Sequence, residues 1–321
     1  MYAETQYLEG IDAHRIFLRE WRPESKTPIG VVHINHGMAE HSGRYEPIAK
    51  ILTQAGYAVV AQDHRGHGHS IPAGGLVGHF ADTNGWSLVI QDVHIVNEWL
   101  RKRYPHTPIA ILGHSMGSFI VQCYLIKYGK TVDAALLSGS TYTSLPALQP
   151  SKLLIRVECF RQGPQGRSGV IDHQTFVHYN QQLEHPNTDA DWLSRDSGSV
   201  ADYNADPLCG FICTNQLWMD LMGGLETLTK LKNIKCIPSN LPMYILSGEK
   251  DPISYHPKLH GVIRLAGHLK SGGLKNVTRR LYSEGRHEIL NEINREDVMK
   301  DLIEWLNQNL AYQSEPMAAS A

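Results

Sequence analysis

Cysteines, long apolar runs and an excess of one charge are all scarce in this 321-residue sequence. The five cysteines are odd in number and scattered, which favours reduced thiols over a disulfide framework, so we expect a cytoplasmic protein. No stretch approaches the roughly 18 uninterrupted apolar residues of a membrane-spanning helix. The 30 basic and 32 acidic residues form no long run of one sign, and the formal net charge is −2. The composition therefore predicts no nucleic-acid partner and favours a small neutral or apolar one.

The two ends of the sequence carry little structural signal. The first ten residues contain Glu4 and Glu9 and lack a basic start before an apolar run, so we expect no signal peptide. The last residues, 313–321, are small and polar, and we expect them to be disordered.

The most informative stretch lies between Thr107 and Ser138. An apolar run at 109–112 ends at a glycine, a run with helical spacing follows at 119–128, and Gly-His-Ser-Met-Gly lies between them with Ser115 at its centre. A G-x-S-x-G pattern arises by chance about once in six chains of this composition, so the strand-turn-helix context must support the assignment. In that context the strained turn lifts a serine hydroxyl off the edge of a sheet, which predicts that Ser115 is a nucleophile.

Apolar strand patterns alternate with helical patterns over much of the chain, after an opening antiparallel pair at 6–8 and 16–21. Strands are expected at about 29–35, 57–61, 109–112, 243–247 and 277–282, and helices at about 45–55, 92–104, 119–128 and 295–310. Such alternation predicts an α/β fold with a mostly parallel central sheet flanked by helices. Functional side chains are then expected at the carboxyl ends of the strands.

The alternation stops after Ser138 and resumes near Met243. The polar stretch between them contains helical pieces near 175–183 and 211–221, which fits an inserted, mainly helical cap better than a second sheet. We therefore divide the chain into a first core part (1–142), a cap (143–223), a second core part (224–312) and the tail.

Two later strand ends supply the partners that a serine nucleophile needs. A serine hydroxyl requires a base to take its proton and an acid to orient that base. The chain places Asp251 and then His287 after late strands, and the order Ser, acid, His is the one used by α/β-hydrolases. Glu249 is the nearest alternative for the acid, Asp251 being then a turn residue before Pro252.

The loop after the strand at 29–35 is the expected oxyanion loop. The backbone N–H groups of Met38 and Met116 are predicted to bind the oxyanion. The substrate-binding candidates are the neighbouring residues His36, Gly37, Glu40, Arg44 and His114. For Glu40 and Arg44, a local ion pair between positions i and i+4 is an equally good interpretation.

The histidines of the glycine-rich loop at 63–70 suggest a metal cluster, but no cysteine or carboxylate pattern of a known site completes it. The loop is better explained structurally, and the expected chemistry requires neither a metal nor an organic cofactor.

Five separated blocks together resemble the monoacylglycerol lipase and lysophospholipase branch of the α/β-hydrolases, often described as serine-aminopeptidase-like. They are His36-Gly-Met-Ala-Glu-His-Ser-Gly-Arg-Tyr45, Asp63-His-Arg-Gly-His-Gly-His-Ser70, Gly113-His-Ser-Met-Gly117, Gly248-Glu-Lys-Asp251-Pro and Gly285-Arg-His287-Glu. The segment from Asp191 to Phe211 looks like the cap of bacterial members. The resemblance implies an α/β-hydrolase fold and a cap that shapes an apolar acyl tunnel above Ser115. Met38 stands where monoacylglycerol lipases often have a smaller residue, which affects the acyl pocket but not the backbone donor.

We expect a serine hydrolase that cleaves carboxylic esters of acyl chains, of the monoacylglycerol or lysophospholipid type, through an acyl-enzyme on Ser115. A short-chain carboxylesterase, and an acyltransferase or amide hydrolase using the same triad, are the alternatives; a binding protein on a hydrolase fold is a more distant one. Transient contact of the cap with a lipid interface is left open. Activity should fall below an apparent pKa near the ordinary histidine value of about 6.5.

Overall fold

One mostly parallel eight-stranded sheet forms the centre of the molecule. The computed structural model describes residues 1–24, 27–256 and 260–310. The strands are β1 (Tyr2–Glu9), β2 (Arg15–Arg22), β3 (Gly30–Asn35), β4 (Tyr57–Gln62), β5 (Ile109–His114), β6 (Ala134–Ser138), β7 (Met243–Gly248) and β8 (Val277–Tyr282). Their order across the sheet is β1-β2-β4-β3-β5-β6-β7-β8, with β1, β2 and β4 paired antiparallel and all other pairs parallel.

Eleven α-helices accompany the sheet in the described residues. They are α1 (Glu46–Gln54), α2 (Gly85–Arg103), α3 (Met116–Tyr128), α4 (Leu145–Gln162), α5 (Gly169–Asp172), α6 (His178–Gln181), α7 (Ser197–Ala205), α8 (Asn215–Leu228), α9 (Leu231–Ile234), α10 (Gly261–Ser271) and α11 (Arg295–Leu310). A π-helical turn (His173–Val177) joins α5 to α6. None of the helices in these parts of the chain is both long enough and apolar enough to span a bilayer.

The central strands are buried on both faces because helices cover each side of the sheet. Every residue of β3, β4, β5, β6 and β7 is buried, as continuous apolar runs in parallel strands predict. Alternate side chains point to opposite faces: Val31 joins the core formed with α2, α3, α8 and α10, whereas Val32 joins the core formed with α1 and α11. The two cores pack against the strands up to their carboxyl ends, where the loops with the predicted site residues begin.

The predicted alternation of strands and helices is confirmed. The opening antiparallel pair is present, and β8 and α11 have the bounds expected from the sequence. Helix α2 begins at Gly85, two turns earlier than the predicted start at residue 92. The predicted tail lies outside the described residues.

The insertion between β6 and β7 is mainly helical, but its second predicted boundary, after residue 223, falls inside α8. The paired glycines there do not end the helix. A Cβ on Gly224 would lie 2.2 Å from the Trp86 ring, so the missing side chain lets α2 approach α8 closely. Helix α8 therefore belongs to both parts, because it packs on α4 and on the core helices α2 and α3.

Candidate active site

Ser115 occupies a strained turn between β5 and α3. Its backbone angles are φ 51° and ψ −121°, a region that non-glycine residues rarely adopt. The flanking glycines make the turn possible: a Cβ on Gly117 would lie 2.1 Å from the Asn35 carbonyl oxygen, and one on Gly113 would lie 2.4 Å from the Gly117 carbonyl oxygen. The Ser115 N–H donates to the Ser138 carbonyl at 2.9 Å. The predicted elbow is therefore present, with its serine partly exposed at the sheet edge.

Asp251 and His287 form a buried pair beyond the ends of β7 and β8. His287 Nδ1 lies 3.0 Å from Asp251 Oδ1, and their side chains are 1% and 0% exposed. Asp251 also accepts hydrogen bonds from Ile253 N and Ser247 Oγ, each at 3.0 Å. Because a carboxylate only accepts, we assign the proton to Nδ1. This tautomer leaves a lone pair on Nε2 for a serine proton.

Glu249, the alternative acid, is placed differently. Its side chain is exposed and accepts a hydrogen bond from Ser283 Oγ at 3.2 Å. The structure thus pairs Asp251 with His287 and leaves Glu249 on the surface.

Burial and charge act against each other on the His287–Asp251 pair. Burial alone would lower the pKa of His287, but the charge of Asp251 and its hydrogen bond outweigh burial and raise the pKa above its ordinary value of 6.5. Burial would likewise raise the pKa of Asp251, but His287 and the other donors lower it. Asp251 therefore stays ionised while His287 titrates.

We expect kcat/KM to fall with decreasing pH through an apparent pKa above 6.5, because the base must be neutral to accept the serine proton and the pKa of His287 is raised. The structure therefore moves the expected apparent pKa above the value of about 6.5 that the sequence alone predicts. The measurement is a pH profile of kcat/KM on an uncharged ester from about pH 5 to 9. A flat acidic limb, with chemistry rate-limiting, would rule out His287 as the base.

The loop after β3 holds Met38 beside the serine. A Cβ on Gly37 would lie 3.2 Å from Ser115 Cβ, and Met38, Ser115 and Met116 all line one cavity. The Gly37 N–H donates to Glu40 Oε1 at 2.5 Å, so it is already occupied. The assignment of the oxyanion to the Met38 and Met116 amides remains a prediction that this arrangement allows.

His36 makes two hydrogen bonds to backbone groups of the protein, and its contact with substrate stays a prediction. Its Nε2 accepts the His64 N–H at 2.9 Å, so the ring proton is on Nδ1, which lies 2.7 Å from the Gly37 carbonyl oxygen. Both nitrogens of this fully buried ring are therefore used within the protein.

Glu40 and Arg44 form the ion pair that was the alternative interpretation, at 3.0 Å. Arg44 is also bonded through both terminal nitrogens to the Glu288 carboxylate, and Tyr45 OH donates to Glu40 at 2.9 Å. The Arg44 guanidinium lies 4.8 Å from the ring centre of Tyr203 in the insertion. These contacts join the loop after β3, the loop that carries His287 (the histidine loop) and the insertion. Substrate binding by Glu40 and Arg44 stays a prediction that these contacts do not support.

His114 lies beside the histidine of the pair. The two ring centres are 4.8 Å apart, and His114 Nδ1 faces Ser138 Oγ at 3.3 Å. Burial, with the nearby His287, lowers the pKa of His114 to about 4, so this ring stays neutral. Since it does not line the cavity, its predicted contact with substrate gains no support.

Within the described residues, one cluster has the composition of a metal site: His41, Asp206 and Cys209, whose ligand atoms lie within 4.8 Å of one another. His41 Nδ1 accepts the Gly43 N–H at 3.1 Å, which leaves the proton on Nε2, 2.8 Å from Asp206 Oδ2. That tautomer offers no lone pair to a metal ion. The cluster is thus explained by a hydrogen bond between the oxyanion loop and the insertion.

A cavity of about 390 Å³ opens at Ser115 and extends beneath the insertion. Apolar side chains supply most of its wall, from α3, α4, α8 and the π-helical turn; they include Phe119, Leu148, Ile155, Phe176, Trp218 and Leu221. The described residues that line it include no Lys, Arg, Asp or Glu.

Comparison of the sequence with known protein families identifies the family of this chain. The family described as serine aminopeptidase, S33, matches residues 26–294. The chain belongs to the serine aminopeptidase S33 family. The predicted fold class and family are confirmed.

Relatives and solved structures cover nearly the whole length of this S33 member. It is 29% identical to the monoacylglycerol lipase of Mycolicibacterium smegmatis over 94% of this chain and 96% of that one. It is 26% identical to the human monoglyceride lipase over 97% of this chain and 92% of that one. A thermostable carboxyl esterase from Bacillus coagulans, solved with glycerol, superposes with a TM-score of 0.86 at 25% identity, covering 97% and 99% of the two chains. The predicted class, a serine hydrolase of esters, is confirmed at that level, whereas the residue roles remain predictions.

Proposed function

We propose that this S33 protein hydrolyses monoacylglycerols through an acyl-enzyme on Ser115. The single observation that carries the proposal is the cavity: it begins at the predicted nucleophile, and its described lining residues are uncharged and mostly apolar. A volume of about 390 Å³ suits one chain-like ligand of modest size. The M. smegmatis and human relatives are named monoacylglycerol and monoglyceride lipases, which supports the same substrate class.

In the first half of the proposed reaction, His287 Nε2 takes the proton from Ser115 Oγ as that oxygen attacks the ester carbonyl. Asp251 holds the imidazole by the 3.0 Å bond at Nδ1 and stabilises the imidazolium that forms. The Met38 and Met116 N–H groups donate to the oxyanion. The tetrahedral intermediate collapses when His287 returns the proton to the leaving glycerol oxygen.

In the second half, His287 takes a proton from water, which attacks the acyl-enzyme carbonyl. The C–O bond to Ser115 breaks, the serine regains its proton, and the fatty acid leaves.

The absence of charged side chains from the described cavity wall favours an uncharged head group. A lysophospholipid would bring a phosphate that needs cationic or N–H donors. Arg44, the nearest predicted candidate, is already paired with Glu40 and Glu288. Monoacylglycerol is therefore favoured over lysophospholipid.

The function is tested by comparing hydrolysis of monoacylglycerols of increasing acyl length, lysophosphatidylcholine and p-nitrophenyl acetate, with Ser115→Ala as the blank. Each methylene buried in the cavity adds about 0.8 kcal/mol, so four more carbons add about 3.2 kcal/mol and should raise kcat/KM by roughly 200-fold until the cavity is full. We expect monoacylglycerols to exceed lysophosphatidylcholine of equal chain length. Preference for the acetate ester would support a short-chain esterase, and cleavage of peptide amides alone would support a peptidase.

The outer face of α4 supports transient contact of this part of the insertion with a lipid surface. Leu153, Val157 and Phe160 recur at helical spacing and are 64%, 50% and 95% exposed. The exposed Arg156 and Arg161 lie on the same helix. Leu148 and Ile155 of α4 line the cavity, so this one helix would join the lipid surface to the acyl site.

We expect Phe160→Ser to lower activity on monoacylglycerol in lipid vesicles by about tenfold, since burying such a ring in lipid contributes roughly 1.5–3 kcal/mol. Hydrolysis of a soluble p-nitrophenyl ester should be unchanged, because the ring is 95% exposed and supports no fold contact of comparable size. Ile293→Ser, a change at another exposed apolar residue outside α4, is the control. If the wild type, Phe160→Ser and Ile293→Ser were equally active on vesicles, contact of α4 with the lipid surface would be ruled out.

A further inference from the structure

The short segment 191–196 of the insertion lies directly against the loop that carries His287. The His287 N–H donates to the Trp192 carbonyl at 3.4 Å, and the Glu288 N–H donates to the Leu193 carbonyl at 2.7 Å. The side chain of Arg286 donates through Nη1 to the carbonyls of Asp191, at 2.6 Å, and Ser194, at 3.1 Å. Three successive residues of the histidine loop are thus bonded to backbone oxygens of the insertion.

Two aromatic rings pack against the His287 imidazole. The Trp192 ring stacks on it, with centres 5.0 Å apart and planes 28° apart, while His114 lies 4.8 Å away. Trp192 is in turn held by Phe176 at 5.6 Å and Tyr179 at 5.3 Å. The indole is 6% exposed and is not among the residues that line the cavity at Ser115.

We propose that Trp192 is a positioning residue for His287, which makes the insertion a part of the catalytic apparatus as well as a cover for the acyl chain. The inference rests on the proposed function, in which His287 is the base. Asp251 fixes one edge of the imidazole at Nδ1 but leaves the ring free to tilt about that bond. The indole face restricts this tilt, and in the proposed mechanism it thereby keeps Nε2 available to Ser115.

The same contact also shields the base from water. The charged and titratable groups around His287 are Asp251, Glu288, Glu40 and His114, and none of them is removed when Trp192 is changed. Burial is the largest influence on the pKa of His287, and it lowers that pKa. Removing the indole should therefore admit water to the imidazolium face and move the acidic limb of the rate profile to higher pH.

Trp192→Leu and Trp192→Phe test the proposal, with Trp99→Leu in α2 as a control for the loss of a partly buried tryptophan. We expect Trp192→Leu to lower kcat by about 100-fold, the size of effect that a misplacement of about 1 Å causes. KM on monoacylglycerol should change less than threefold, a bound consistent with a residue that makes no substrate contact. The apparent pKa of the acidic limb of the rate profile should rise by about half a pH unit in Trp192→Leu. Trp192→Phe should restore most of kcat because it keeps a ring on the imidazole.

Loss of activity through unfolding is separated by melting temperature and by a second variant. Arg286→Met removes the two bonds to segment 191–196 while keeping the Trp192 ring. We expect it to lower kcat about tenfold, less than the roughly 100-fold that a displacement of about 1 Å can cause. The proposal is overturned if Trp192→Leu folds and keeps the wild-type kcat and the wild-type apparent pKa of its rate profile. If Trp192→Leu does not fold, the same result for folded Arg286→Met overturns it. A wild-type protein that neither hydrolyses esters nor reacts with a fluorophosphonate at Ser115 would instead overturn the proposed function.

Discussion

Replacing Ser115 with alanine is expected to lower kcat by about 10⁶-fold, the scale of loss when the nucleophile of a Ser-His-Asp triad is removed. The acyl-enzyme cannot form, and only the oxyanion amides and the cavity would continue to assist hydrolysis by water. The measurement is the steady-state rate on a monoacylglycerol, together with labelling by a fluorophosphonate and mapping of the modified peptide.

Ser283→Ala is the matched control, because Ser283 is exposed and lies in the loop that follows β8. It should keep full activity and full labelling at Ser115. If Ser115→Ala retains wild-type activity, or if the label is found on another serine, Ser115 is not the nucleophile.

Asp251→Asn is expected to lower kcat by roughly 10⁴-fold, the size of loss that the equivalent change causes in another Ser-His-Asp triad. We expect little change in KM, because Asp251 is fully buried. The asparagine side chain is nearly the same size, and an oxygen in the place of Oδ2 can still accept from Ser247 Oγ, whereas the Oδ1 position, which accepts from Ile253 N, is the one that faces His287. Its NH₂ group, however, favours the tautomer with the proton on Nε2, which cannot accept a proton from Ser115. Loss of the carboxylate also removes the charge that raises the pKa of His287.

Glu249→Gln is the matched control for this prediction. It makes the same chemical change two residues earlier in the same turn, at the alternative acid. We expect wild-type kcat, because the Glu249 carboxylate is exposed and bonds to Ser283. If Glu249→Gln lost more kcat than Asp251→Asn, the acid would be Glu249.

The sheet, and the positions of Ser115, Asp251 and His287 after the ends of its strands, were predictable because both depend on local patterns. Strands such as β5 and β7 are continuous apolar runs, and parallel pairing brings their carboxyl ends to one edge. The Ser115 elbow also has a local cause, since two glycines permit the close approach to Asn35 and to the next turn. Once the carboxyl ends of the strands lie at one edge, the chain order Ser, Asp, His leaves few ways to combine a nucleophile, an acid and a base.

Helix α4 was not predicted, and its surroundings explain why. Pro150 lies inside it, and its apolar side chains point both inward, as Ile155 does, and outward, as Phe160 does. A helix that is apolar on two faces shows no single stripe, so its periodicity is weak.

The roles of the residues around the oxyanion loop could not be read from their spacing either. The i, i+4 relation of Glu40 and Arg44 was visible, but Glu288 lies 244 positions from Arg44 in the chain. Likewise, nothing local to Trp192 shows that its ring reaches His287, because that contact depends on how the insertion settles on the core. Long-range contacts of this kind lie beyond reasoning from sequence patterns.

The hydrogen bonds that the histidine loop donates to segment 191–196 bear on how new specificities can be engineered in this protein. Exchanging the whole insertion for that of a relative would replace the carbonyls that Arg286, His287 and Glu288 use, and with them the geometry of the base. Residues 145–171 contribute much of the acyl wall and none of these bonds, so we expect that they can be exchanged while residues 176–196 are kept with their own core. Chimaeras built with that junction should change chain-length preference without losing turnover.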